Sequence, residues 1–208
     1  MPAAASLPSC SRREAITFIT AAFGALLTPP WLRAGDIPVY GRTIDGATVT
    51  SLSAPSDKYT AGIFVATDCP ISNRYLPLLA RLSKEFAPRG VRLWLVYPNP
   101  GDTLAVVRSH QKQYPDAASL PQLIGPDPRF LGRAHVHVTP EAAVFHGDAM
   151  GQPVLWHGRI DDRYLTFGAQ RPAATRHDLA DALDAALAGR QPPPPGGPPV
   201  GCAIIPRA

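Results

Sequence analysis

Apolar positions along this chain follow two rhythms, and the changes between them mark out its elements. From about residue 37, "IPVYGRTIDGATVTSLS" holds two short β-prone runs on either side of Asp45-Gly46, a dipeptide suited to a hairpin turn. "KYTAGIFVA" follows as a near-continuous apolar run, the pattern of a central strand buried on both faces, and the chain then reaches Cys69. There the period changes. In "PISNRYLPLLARLSKEFAPRG" the residues Ile71, Tyr75, Leu78, Leu79, Leu82 and Phe86 recur three and four apart, which predicts a helix closed by Gly90. Pro70 suits the first helical turn, and Pro77 is expected to bend the helix.

"VRLWLVYP" predicts a second core strand, and "DTLAVVRSHQKQY" a second helix with Asp102 as its N-cap. "PDAASLPQLIGPDP" reads as a loop and "RFLGRAH" as a short helix. "HVTPEAAVF" and "PVLWHGRID" read as third and fourth strands joined by the turn "HGDAMGQ". "TRHDLADALDAALAG" predicts the last helix, beginning near Thr175 or Arg176 and stopping at Gly189. The tail "RQPPPPGGPPVGCAIIPRA" begins with no helix or strand pattern. This order predicts an α/β fold, a mixed central sheet flanked by helices with an N-terminal β-hairpin, and no internal repeat.

Composition changes this picture mainly at the N-terminus. At 208 residues, 45% hydrophobic and 17% charged, the chain has the make-up of one globular domain. In residues 1–34, "SRREAI" places two arginines before the uncharged stretch "AITFITAAFGALL", too short to span a bilayer. The expected division is a twin-arginine-like export signal over 1–34, a folded domain over 35–190, and a Pro/Gly-rich tail over 191–208 carrying a C-terminal cysteine. The protein is therefore expected outside the cytoplasm, periplasmic or otherwise extracytoplasmic, with no stable membrane span after processing. Arg12, Arg13, Arg33 and Glu14 leave with the signal, taking the formal net charge from +4 to +2. No basic run with interleaved aromatics remains, so nucleic acid is not an expected partner. Cys10 leaves as well, and the mature chain keeps only Cys69 and Cys202.

Two features carry a family resemblance. Cys69 falls between the first core strand and a helix start, and "VTP" (Val138, Thr139, Pro140) stands directly before the third strand. Over roughly 37–190 the chain resembles the thioredoxin-fold superfamily, in particular its redoxin or peroxiredoxin-like branch with the alkyl hydroperoxide reductase and antioxidant relatives. The resemblance implies a thioredoxin-like fold, a cis bond before Pro140, and Pro140 facing a reactive Cys69. Two departures qualify it. Thioredoxins carry C-x-x-C, whereas Cys69-Pro70-Ile71-Ser72 has no second thiol. Peroxiredoxins place a hydroxyl residue three positions before the cysteine and a proline four further back, and here those positions are Ala66 and Gly62.

A thiolate is the reactive form of cysteine, and a helix N-terminus favours it by roughly 0.3–1 kcal/mol. Asp68 opposes ionisation by like charge, and Arg74 or Arg163 would offset that. Cys202 lies beyond a proline-rich tether long enough to return to Cys69. Its apolar setting, "VGCAII", could dock on the domain or on another subunit. The expected activity is that of an exported thiol oxidoreductase, reducing a protein disulfide or a small peroxide, without a cofactor. Cys69 and Cys202 with Pro140 are the catalytic candidates, and Thr67, Ser72, Asn73 and Thr139 the candidates for substrate contact. Ser72 and Asn73 are also plausible as simple first-turn residues, one capping and one solvated.

Two alternatives stay open. Copper chaperones of the Sco type are similar to this fold, and Cys69, His137 and Cys202 would make a soft ligand set, although the second Sco cysteine would fall on Asn73. A catalytically silent redoxin scaffold is the other. "HGRIDDRYLTFG" gathers Arg159, Asp161, Asp162, Arg163 and Tyr164 as either a surface salt-bridge loop or a wall of the active-site mouth.

Overall fold

The computed structural model describes residues 38–205, so the expected export signal and Cys10 lie outside the described residues. Gly41–Arg42 (β1) and Thr48–Val49 (β2) pair antiparallel around Gly46, whose φ of 89° is a conformation that glycine adopts without strain. Tyr59–Phe64 (β3) leads to α1, Pro70–Phe86, which continues as helix through Pro77. Val91–Tyr97 (β4) and Leu104–Gln113 (α2) follow, then Gln122–Ile124 (β5) and Pro128–Ala134 (α3). Val138–Thr139 (β6) is separated by Pro140 from Glu141–His146 (β7), and Val154–Gly158 (β8) returns beside β7. Tyr164–Thr166 (β9) and Ala169–Gln170 (β10) form a small hairpin, Asp178–Leu187 is α4, and Cys202–Ala203 (β11) closes the series.

The main sheet runs β2-β1-β5-β4-β3-β7-β8. β3 pairs parallel with β4 and antiparallel with β7, which makes it a central strand and explains why it is apolar on both faces. Alternation along the strands sorts two cores. Ala61, Ile63, Leu93 and Leu95 pack with Leu76 and Leu79 of α1 and Leu179 and Leu183 of α4. Phe64, Trp94 and Val96 face the other way, onto Tyr40, Phe145 and Phe130 of α3. Helices thus cover both faces of a mixed sheet, and the fold is thioredoxin-like. Among the described residues, no helix is long and apolar enough to cross a membrane.

The structure corrects four local expectations. Thr103, not Asp102, caps α2, its hydroxyl accepting from the Val106 amide at 3.3 Å, because the Asp102 carboxylate is engaged elsewhere. The stretch expected as a loop contains β5, too short to show a period but paired with the edge of β4 from Leu95 to Tyr97. α4 starts at Asp178 because Asp162 holds the Thr175 and Arg176 amides outside the helix, at 2.7 and 3.0 Å. Asp161 and Asp162 are buried rather than part of a surface salt-bridge loop. Asp161 accepts from the Tyr75 hydroxyl of α1, and Asp162 from the Thr175 hydroxyl at 2.6 Å.

Candidate active site

Cys69 is the N-cap of α1, and its carbonyl accepts the Asn73 amide at 3.1 Å. Pro70 occupies the first helical position, where a missing N–H leaves no intrahelical bond unmade. Across from the cysteine, the Thr139–Pro140 bond is cis, and the Thr139 carbonyl lies 3.1 Å from Cys69 Sγ. The Pro/Gly-rich tail then returns to this point. β11 pairs antiparallel with β6, placing Cys202 opposite Thr139 and Ala203 opposite Val138. Gly201 permits the approach, since a Cβ there would stand 2.0 Å from the Thr139 carbonyl oxygen. Both cysteines are free thiols, and each influences the acidity of the other.

The two sulfurs differ in acidity. Burial works to raise the Cys69 thiol's pKa, but hydrogen bonds from the Cys202 thiol and the Ser72 hydroxyl, with the Ser72 and Cys202 amides, outweigh it and hold it below its usual range. The Thr139 carbonyl is an acceptor for the protonated form and leans the other way. Burial and the hydrogen bond to Cys69 push the Cys202 thiol up to about 12, with the charges of the Cys69 thiolate and Asp68 adding to them. Asp68 is one of the charges acting on Cys202. Cys69 itself has no accessible surface, and Val200 and Cys202 of the tail pack against its cluster.

The candidates for substrate contact are distributed differently from the expectation. Ser72 is fully buried and directed at Cys69, while its oxygen accepts from the Ala66 amide at 3.4 Å. Thr67 gives both its amide and its hydroxyl to Asp102 Oδ1, at 3.1 and 2.6 Å. Asn73 is half-buried, and both ends of its side-chain amide are hydrogen-bonded. Its amide nitrogen donates to the Thr67 carbonyl at 3.1 Å, and its oxygen lies 2.7 Å from His110 Nε2. These bonds tie the turn before Cys69 to α1 and α2. The Thr139 side chain is buried under β11, where its hydroxyl lies 3.4 Å from the Cys202 carbonyl.

Among the described residues, no three His, Cys, Asp or Glu side chains gather closely enough to hold a metal ion. The set Cys69, His137 and Cys202 is not assembled. His137 is exposed, and its backbone amide, not its ring, is fixed, donating to Glu141 Oε2 at 2.8 Å. Glu141 is the residue that sequence reasoning missed. Its carboxylate is almost wholly buried immediately after the cis-proline, where it also receives the Val138 amide at 3.4 Å and lies 3.4 Å from His157 Nδ1. A lone carboxylate in the apolar run "EAAVF" was the available signal, because a buried charge needs partners.

No protein-family model and no curated protein matches the chain. Solved structures do. An uncharacterized conserved protein from Geobacillus kaustophilus is 25% identical over 83% of this chain and 92% of its own, with a TM-score of 0.61. A hypothetical protein from Sinorhizobium meliloti 1021 is 21% identical over 82% of this chain and 91% of its own, with a TM-score of 0.64. A secreted disulfide oxidoreductase from Mycobacterium tuberculosis is 17% identical over 71% of this chain and 94% of its own, with a TM-score of 0.45.

Proposed function

We propose that the protein is an exported thiol–disulfide oxidoreductase in which Cys69 is the nucleophile and Cys202 the resolving thiol. The observation that carries this reading is that β11 brings Cys202 opposite Thr139, whose carbonyl lies 3.1 Å from the sulfur of Cys69, a residue 133 positions earlier in the chain. The acidity difference sets the order of events. Cys69 is the sulfur that ionises more readily, so it is the one that attacks a substrate disulfide. One Cys69–substrate disulfide forms, the substrate S–S bond breaks, and a substrate thiolate leaves.

Cys202 follows rather than precedes it, because burial first, and then the neighbouring Cys69, push its thiol up to about 12. Once Cys69 is in the mixed disulfide its charge is gone, and two causes of the raised Cys202 pKa go with it. Cys202 then gives up its proton and attacks Cys69 Sγ. A Cys69–Cys202 disulfide forms and the second substrate thiolate departs, so two electrons pass from protein to substrate. Pro140 and the Thr139 backbone form the wall against which the substrate sulfur is aligned.

A disulfide suits the site better than a peroxide. Ala66 supplies no hydroxyl and the Thr67 hydroxyl is committed to Asp102, which leaves Ser72 as the one hydroxyl on the sulfur. Reaction of the reduced protein with oxidised glutathione tests the reading. Wild type should end with a Cys69–Cys202 peptide in its digest, Cys202→Ser should stall as a Cys69–glutathione adduct, and Cys69→Ser should not react. Exchange that survives Cys69→Ser, or oxidised protein with both thiols free, would refute it.

A further inference from the structure

The Cys69 sulfur lies wholly out of solvent, and residues of the tail form part of its cover. A partner's disulfide cannot reach it while β11 is in place. The tail is attached in two parts of different character. Its first part is clasped to the domain: Trp156 Nε1 donates to the Pro193 carbonyl at 2.9 Å, and the Gly196 amide donates to the buried Asp178 at 2.8 Å. Asp178 is itself held by Arg159 at 2.7 Å. The second part rests on the two residue pairs of β11 and on the Ile204 amide, which donates to the His137 carbonyl at 3.0 Å. The Ile205 amide adds a bond to Asn99 Oδ1 at 2.9 Å.

Between the two parts stand Gly197, which can absorb a change of backbone direction, and Pro198-Pro199, which have no N–H to bind the chain down. We propose that residues 197–205 are a displaceable occupant of the β6 edge. An extended, cysteine-bearing segment of a partner polypeptide takes that edge in their place. Opening at Gly197 leaves the clasp closed, frees the backbone of Val138 and Thr139 for strand addition, and uncovers Cys69. Reclosure brings Cys202 back to the sulfur it must resolve. This inference rests on the reading of Cys69 as the nucleophile, but it concerns access rather than exchange.

Alkylation separates the two, because iodoacetamide needs only a reachable thiolate and no resolving step. Gly201→Val puts atoms where the Thr139 carbonyl stands, and Ile204→Pro removes the donor to His137. Each acts at the far end of the tail, so one remains informative should the other misfold. In full-length protein with Cys202→Ser as the common background, both should modify Cys69 tenfold or more faster than the background alone. The free peptide PPVGSAII, added to the Gly201→Val variant, should slow the reaction again. Alkylation at the background rate in both variants overturns the proposal, as does failure of millimolar peptide to protect. The glutathione experiment can still succeed in that case, and its failure would not by itself change the alkylation result.

Discussion

Two sulfurs with the same side chain have been given opposite acid strengths by their neighbours. Cys69 is an acceptor for the Cys202 and Ser72 donors, and Cys202 is held beside the charge that results. Replacing Cys202 by alanine removes the main donor, so the Cys69 pKa should rise. Thiolate absorbance at 240 nm followed against pH measures this directly, and the alkylation rate should shift to higher pH with it. Cys69 was legible in the sequence because a cysteine between a core strand and a helix start has few bland explanations. Its immediate partners were not. The bonds of Thr67, Asn73, His110 and Asp102 join residues up to 37 positions apart, and no period in the chain reports such contacts. Glu141 was hidden for a related reason, since its donors are backbone amides that exist only once β6 turns at Pro140.

Elements that bury one face were readable wherever they were long enough to show a period. β3, β4 and α1 fall where their apolar spacing placed them, and so does the first hairpin. β5 and β11 did not, because strands of three and two residues owe their existence to an edge already waiting. The β9–β10 hairpin gives no apolar period, because it is held beside the buried Asp161 and Asp162 carboxylates, and charge alternation is also the pattern of a solvated loop. Asp162 has consequences that can be measured. The Thr175 hydroxyl, with the Thr175 and Arg176 amides, holds its carboxyl well below the usual carboxylate range against a smaller opposing effect of burial. A depressed folded pKa stabilises fully above the unfolded value of about 3.9 and loses that contribution as pH falls through the folded value. Urea midpoints taken from pH 5 down to pH 2 should fall in wild type. In Asp162→Asn they should start lower and fall less, since the titrating group is gone.

At the scale of the whole molecule, the tail converts an α/β domain with one buried thiol into one with a paired site. Oxidation should therefore have a global effect. A Cys69–Cys202 bridge closes nearly the entire domain into a loop, and chain entropy puts the resulting stabilisation at up to about 5 kcal/mol. The denaturant midpoint of oxidised wild type should exceed that of reduced wild type. Cys202→Ser should show no such difference. A midpoint unmoved by oxidation, in protein shown to carry the bridge, would mean that native strain offsets the loop term.

The position of β11 in chain order has a consequence for biogenesis. Among the described residues every other strand, with Thr139 and Pro140, precedes it, so the nucleophile and the edge that β11 pairs with stand earlier in the chain than the segment that covers them. A folding chain whose β11 has not yet docked lacks that cover, and its sulfur then meets whatever electrophile or oxidant the surroundings hold.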